Sequence, residues 1–528
     1  MTDRTTQPTS DRFTLDEATV ADVHAAYRAG TLTARALVRA YLDRIAALDT
    51  VGGGGPGLNS VLAVNAAALA DADALDERLR ATGEFAGPLH GIPVVLKDQI
   101  ETAGLTTTYG SQTAREHVPE RDATIVSALR EAGAVILAKT TMPDFATSWH
   151  STSSVSGLTR NPYALDRDAG GSSSGTATAV AANLATVGIG EDTGGSIRLP
   201  ASFCNLVGVR VTPGLISRAG MSPLVETQDT PGPMTRTVTD AALLLDVLAG
   251  YDPADPYTAT AAIAANRAAG DRSARNRSTY RDALAPDALR GARIGVLRQA
   301  FGDAGDPEAE AVNTVIAAAL ERIAAAGAEL VDVEIPELDH YVAYTSVYFS
   351  RSRADLDAFL AGRPGIQATS VAQVYEDGLA HPNLDLFAGI ATGPAHPDDD
   401  PEYPRRLAAR ERFQREIIGV MAAHGVDALC FPDVRIAAPS HADVLASRWT
   451  CLEFPTNTVI ASQFLMPSVT VPAGFTTDGL PVGLELMALP YHEADMLGLA
   501  YGVERATAAR RAPAPASHTP HAPRAPRG

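Results

Sequence analysis

An α/β fold is what this sequence predicts, and three stretches of it carry the prediction. The short β-prone runs "IPVVL" (92–96) and "AVILA" (134–138) flank a helix-like "ATIVSALREAG" that stops on Gly133. "RIGVLR" (293–298), "AVNTVIAAALERIAAAGA" (311–328) and "ELVDVEI" (329–335) repeat strand, helix, strand. "SVTVPAGFTTDGLPVGLELMA" (468–488) reads as two strands about a glycine turn, with a helix expected over 492–509.

The other elements follow in chain order. Residues 14–48 place apolar residues at helical spacing with a break at Ala29-Gly30, which predicts two amphipathic helices, and the glycine run 52–55 makes a turn. "TATAVAANLA" (176–185) is a helix of small residues, and "TVGIGEDTGGS" (186–196) is a strand that leaves into a glycine turn. Residues 340–450 have weaker periodicity and clusters such as "HPDDDPEYP", so they are expected to form a variable region on the substrate side. The domain is expected to span 14–510, between a flexible start (1–13) and a disordered Pro/Ala-rich tail (511–528).

The 528 residues are 45% apolar and 20% charged, a composition that buries a large core. The net charge of -19 argues against general affinity for nucleic acid or anionic membrane. Cys204, Cys430 and Cys451 are too few and too scattered for a disulfide framework or a zinc site, and no apolar leader or spanning segment is visible. A cytoplasmic protein is the expectation.

Of 43 basic residues only Lys97 and Lys139 are lysines. Arginine keeps its proton in a protein, whereas a desolvated lysine can lose it and act as a base. Lys97 ends the apolar run "GIPVVLK", where burial favours the neutral amine.

The cluster "GGSSSG" (170–175) satisfies G-x-S-x-G with Ser173 in the middle, which would suit a Ser-His-Asp α/β-hydrolase. Its context argues otherwise, since "RNPYALDRDAG" before it is polar, and the late histidines His492, His518 and His521 stand at a helix start or in the tail. Phosphate binding is disfavoured because no GxxxxGK[ST] is present, while helix capping accounts for one or two of the hydroxyls. In "DTGGSIR" (192–198) a strand does lead into Gly194-Gly195-Ser196, and the glycines let N–H groups converge on an oxyanion. Ser196 therefore has a nucleophile's setting, and Lys97 is the remaining tunable base, which gives a Ser-Ser-Lys relay.

Together "GIPVVLKD", "GGSSSGTATAVAANLATVGIGEDTGGSIRLPAS" and "GLPVGLEL" resemble the blocks of the amidase signature family. The resemblance implies a single α/β/α domain with a large twisted mixed sheet covered by helices on both faces. It implies Lys97 as base, Ser172 as a bridging serine after a cis peptide, and Ser196 as acyl-accepting nucleophile. The N–H groups of Thr193, Gly194, Gly195 and Ser196 would form the oxyanion hole. Ser173, Asp192 and Arg198 would support the loops, and Lys139 would be a structural ion-pair partner. Trp149 and His150 are candidate substrate contacts, with core packing the alternative for the one and a satisfied polar role for the other.

The implied reaction is hydrolysis of a small amide through an acyl-enzyme, with no metal or cofactor. A homodimer is allowed for. Three rivals stand beside it: the glutaminase subunit of a tRNA-dependent amidotransferase, the Ser-His-Asp esterase, and a non-catalytic binding protein on the same scaffold.

Overall fold

The computed structural model describes residues 13–49, 57–268, 279–363 and 365–514. Thirteen strands are present among them: β1 Val61–Val64, β2 Pro93–Lys97, β3 Val135–Thr140, β4 Arg160–Asn161, β5 Ala164–Asp168, β6 Val187–Asp192, β7 Val207–Arg210, β8 Thr230–Thr235, β9 Arg293–Leu297, β10 Glu329–Val333, β11 Ala428–Pro432, β12 Ser468–Phe475 and β13 Pro481–Met487. Eleven form one mixed sheet in the order β1-β3-β2-β6-β8-β7-β12-β13-β11-β9-β10, and β4 pairs with β5 apart from it. Two parallel units, β3-β2-β6 and β11-β9-β10, are joined by an antiparallel centre.

Alternation along the strands buries both faces of this sheet. In β11, Ala428 and Cys430 enter one apolar cluster while Leu429 and Phe431 enter another. Parallel strands covered on both sides need continuous apolar runs, and "IPVVL" and "AVILA" supply them. The three cysteines are buried and unpaired. Among the described residues, no helix is long and apolar enough to cross a membrane.

The two expected N-terminal helices are Val20–Arg28 and Ala34–Leu48, capped by the side chains of Thr19 and Thr33. The glycine run between them and β1 lies outside the described residues. Two residues next to the expected domain bounds are described. Phe13 already lies against the main core, and Arg511 stacks on Phe475 at 3.4 Å while its N–H reaches Asn205. Residues 515–528 lie outside the described residues.

The stretch 340–450 divides in two. Helices Tyr348–Ala361, Val371–Glu376 and Asp385–Thr392 gather about a separate apolar cluster holding Phe145, Trp149, Tyr348 and Phe387, whereas Leu338 and Tyr341 of helix Leu338–Tyr344 join the cluster that holds Leu429 and Phe431. Ala428–Pro432 is instead a buried strand of the main sheet, paired with β13 and β9. The substrate-side reading missed it because "ALCFP" is short and follows a 22-residue helix, so its own periodicity says little.

Candidate active site

β2 and β6 lie side by side and run parallel, with Leu96 opposite Ile189. Their C-terminal ends therefore emerge together, which brings Lys97 beside Glu191 and Asp192 although some ninety residues separate them in sequence. Lys97 is fully buried. Its Nζ donates to Ser172 Oγ at 2.7 Å and to the Glu191 carbonyl at 3.1 Å, and faces Glu191 Oε2 at 3.0 Å. Burial pulls the amine below the ordinary lysine value, while the Glu191 carboxylate opposes that shift.

Ser172 arrives on the loop between β5 and helix Ser174–Ala181, and the Gly171–Ser172 peptide is cis. Ser173 ties this loop to the neighbouring turn. Its N–H donates to the Ser196 carbonyl at 3.1 Å, and its hydroxyl donates to the Glu191 carbonyl at 3.2 Å. Among the described residues no histidine hydrogen-bonds Ser173, and His492 pairs with Asp495 on the surface; His518 and His521 lie outside the described residues. The Ser174 hydroxyl is buried with no hydrogen-bond partner, so this third serine packs and does not cap.

The turn after β6 carries Thr193, Gly194, Gly195 and Ser196 ahead of helix Arg198–Phe203. Its glycines are required by close approach. A Cβ at Gly194 would come within 2.1 Å of the Tyr348 hydroxyl, and one at Gly195, where φ is +121°, within 1.8 Å of Thr458 Oγ1. Asp192 holds the turn from beneath. It accepts from Gly195 N at 2.8 Å, Ile197 N at 3.1 Å, Arg198 Nε and Nη2 at 3.1 Å, and Arg210 Nη1 at 2.9 Å. Burial alone would raise this carboxyl, but Arg198 and Arg210 outweigh it and hold it far below the ordinary range. Arg198 also reaches Glu485 and Ser462.

One expected oxyanion donor is thereby corrected. The Gly195 N–H points to Asp192, so it is spent on the turn; Thr193, Gly194 and Ser196 remain as the backbone groups around the site.

Trp149 lies beside the turn, its ring 3.2 Å from the position of a Gly194 Cβ. His150 instead packs edge-on against Phe454 at 4.8 Å, its Nδ1 buried without a partner and its basicity lowered by burial. Lys139, on β3, faces Asp98 at 3.7 Å and donates to Thr107 at 2.8 Å, away from the serines; burial pushes it down to about 8. Among the described residues, no group of three or more His, Cys, Asp or Glu is placed to hold a metal ion.

Sequence reading passed over Arg210, Ser462 and Glu485, which touch Asp192 or Arg198, and four more residues about the site. Glu191 is inside the quoted motif, and an acid one step before Asp192 at a buried strand end was the available signal. Asp229, Tyr348 and Thr458 come from distant segments that carry no local pattern. A cavity of about 360 Å³ opens beside Glu191 and Asp229 and is also lined by Arg218, Glu226, Asp255 and Asp355.

Residues 36–497 match the Amidase family. The solved peptide amidase from Stenotrophomonas maltophilia is 36% identical, with a TM-score of 0.83 over 95% of this chain and 99% of that one. An amidase family protein from Bacillus anthracis is 28% identical with a TM-score of 0.79, over 94% and 92%. One subunit of the glutamyl-tRNA(Gln) amidotransferase of Thermosynechococcus vestitus is 33% identical over 90% of this chain and 95% of its own length. The fold and the matches define an amide-hydrolysing enzyme. This chain belongs to the amidase signature family.

Proposed function

We propose that the protein hydrolyses the C–N bond of a small amide as a free-standing amidase, through Lys97, Ser172 and Ser196. The observation that carries this reading is the 2.7 Å contact from Lys97 Nζ to Ser172 Oγ, made by a buried amine whose neutral form burial favours. Neutral Lys97 takes a proton from Ser172 as Ser172 takes one from Ser196, and Ser196 Oγ attacks the carbonyl carbon. The N–H groups of Thr193, Gly194 and Ser196 receive the oxyanion. Ser172 then returns the proton to the departing nitrogen, and water repeats the sequence on the acyl-enzyme to release the acid. Ser173, Asp192 and Arg198 hold the two loops in register. Trp149 and Tyr348, both against Gly194, would border the acyl group; His150, packed on Phe454, is the weaker candidate contact.

The glutaminase-subunit reading is the second, because a relative matched over 90% of the chain is an amidotransferase subunit. The peptide amidase is the more similar of the two, at 36% against 33% identity. Purified chain assayed on acetamide, benzamide, glutamine and a C-terminally amidated dipeptide, with ammonia and acid both quantified, separates them. Turnover of a simple or peptide amide by the chain alone is expected. Activity confined to glutamine and dependent on added protein partners would overturn the choice. A fluorophosphonate should label Ser196 and fail to label Ser196→Ala.

A further inference from the structure

Behind Lys97 the hydrogen bonds do not balance unless a proton is added. The Thr193 hydroxyl lies 2.9 Å from Glu191 Oε1 and 2.6 Å from Asp229 Oδ1, both within donating distance. A hydroxyl has one hydrogen and can donate to one carboxylate only. Two ionised carboxylates would leave one oxygen facing a lone pair in a fully buried site, an arrangement with a heavy desolvation cost. A proton placed on either carboxyl would let both contacts be hydrogen bonds.

Each placement has its own partners. With the proton on Glu191, Thr193 donates to an ionised Asp229, which also accepts from Leu224 N at 2.8 Å and Val225 N at 3.1 Å. Glu191 then presents a neutral acid to Lys97. With the proton on Asp229, Thr193 donates to an ionised Glu191, which faces Lys97 at 3.0 Å as a full ion pair. Shifting two protons by one hydrogen bond each interconverts them.

We propose that Glu191, Thr193 and Asp229 form a proton relay that positions charge opposite Lys97, keeping the amine neutral before attack and supplying an anion once it is protonated. Like the reaction that it serves, the relay rests on Lys97 being the base. In the attack step Lys97 gains the proton of Ser172. Glu191 passes its own proton to Thr193 Oγ, and Thr193 passes its hydrogen to Asp229, so Lys97 ammonium meets Glu191 carboxylate. Reversal of both shifts accompanies protonation of the leaving nitrogen.

The surroundings agree. Burial, then the charge of Glu191, pushes the Asp229 carboxyl well above its ordinary range, the direction that favours its protonated form. Asp192 also faces Lys97 but is committed to Arg198 and Arg210. On the cavity side Arg218 is paired with Asp255, and Asp355 and Glu226 share Arg351.

With two lysines in the chain, protein labelled with ¹⁵N,¹³C-lysine gives two side-chain signals, and Lys97→Ala assigns them. Glu191→Gln removes the anion and is expected to move the Lys97 titration to lower pH. Asp229→Asn removes the proton acceptor, leaves Glu191 ionised, and is expected to move it to higher pH; Asp229→Ser serves if the Asn variant does not fold. A fixed, ionised Asp229 would give a downward shift in that variant, and a fixed, protonated one would give none. Either result overturns the relay. The pH profile of kcat/KM for turnover of the amidated dipeptide should move in the same opposite directions. Near-normal turnover by Lys97→Ala would instead overturn the base assignment, which the two titration shifts do not decide.

Discussion

The two parallel units of the sheet treat charge in opposite ways. At the end of β2 and β6, Lys97 and Glu191 pair with 0% and 1% of their side chains exposed. At the end of β9 and β10, Arg298 and Asp332 pair at 2.8 Å with 51% and 68% exposed. Both units join parallel strands through a helix. The difference is position in the sheet: β10 is an edge strand, whereas the ends of β2 and β6 are covered by the serine loop and the glycine turn. An ion pair in water contributes about 0–1 kcal/mol, while one partner of a buried pair cannot be removed without stranding the other. The lesson is that function sits where the sheet can desolvate a lysine.

Four substitutions or titrations test the contrast, in decreasing order of effect. Lys97→Ala should lower amide turnover by roughly 10⁴-fold with the circular-dichroism spectrum unchanged. Retention of more than a tenth of the activity would remove the catalytic distinction between the two strand ends. Asp192→Asn leaves Arg198 and Arg210 without their shared carboxylate and should cost about 3–5 kcal/mol in urea unfolding. A loss below about 1 kcal/mol would make this buried hub equivalent to a surface pair.

The pH profile is the third. The base must be neutral, so kcat/KM should fall as pH falls through the Lys97 titration, and burial places that midpoint below the ordinary lysine value of 10.5. A profile flat from neutral into the acid range, until unfolding, would contradict a lysine base. Last, Arg298→Ala should change stability by no more than about 1 kcal/mol and leave turnover within two-fold.

Much of the sheet could be read from periodicity. Strands β2, β3, β6, β9, β12 and β13 each stand in a run the sequence marks clearly, because buried strands are rich in apolar residues, and the edge strand β10 was legible from the strand–helix–strand repeat that contains it. β11 could not be separated from its surroundings, since five apolar residues after a long helix fit either element. In the site, Lys97 was conspicuous because arginine stands at nearly every other basic position and Ser196 because it closes a glycine turn after a strand, whereas the glycines about 170–175 pointed to Ser173 and only the family resemblance singled out Ser172. Gly195 was misjudged as an oxyanion donor for a reason no local pattern records: its N–H turns toward Asp192, whose place depends on Arg198 and Arg210.

By itself, then, the amino-acid sequence determined the α/β class, the order of the main strands, the family, and which lysine and which serines stand at strand ends and glycine turns. These follow from short-range rules of burial, turn geometry and side-chain chemistry. Only the tertiary structure decided what surrounds them: Glu191 and Asp229 about Thr193, Tyr348 and Thr458 against the glycines, and the contact of one hydroxyl with two carboxyls on which the proposed relay is built. Such contacts depend on the spacing of neighbouring strands and on loops from distant segments, and hydrogen-bond accounting is possible only once those atoms are side by side.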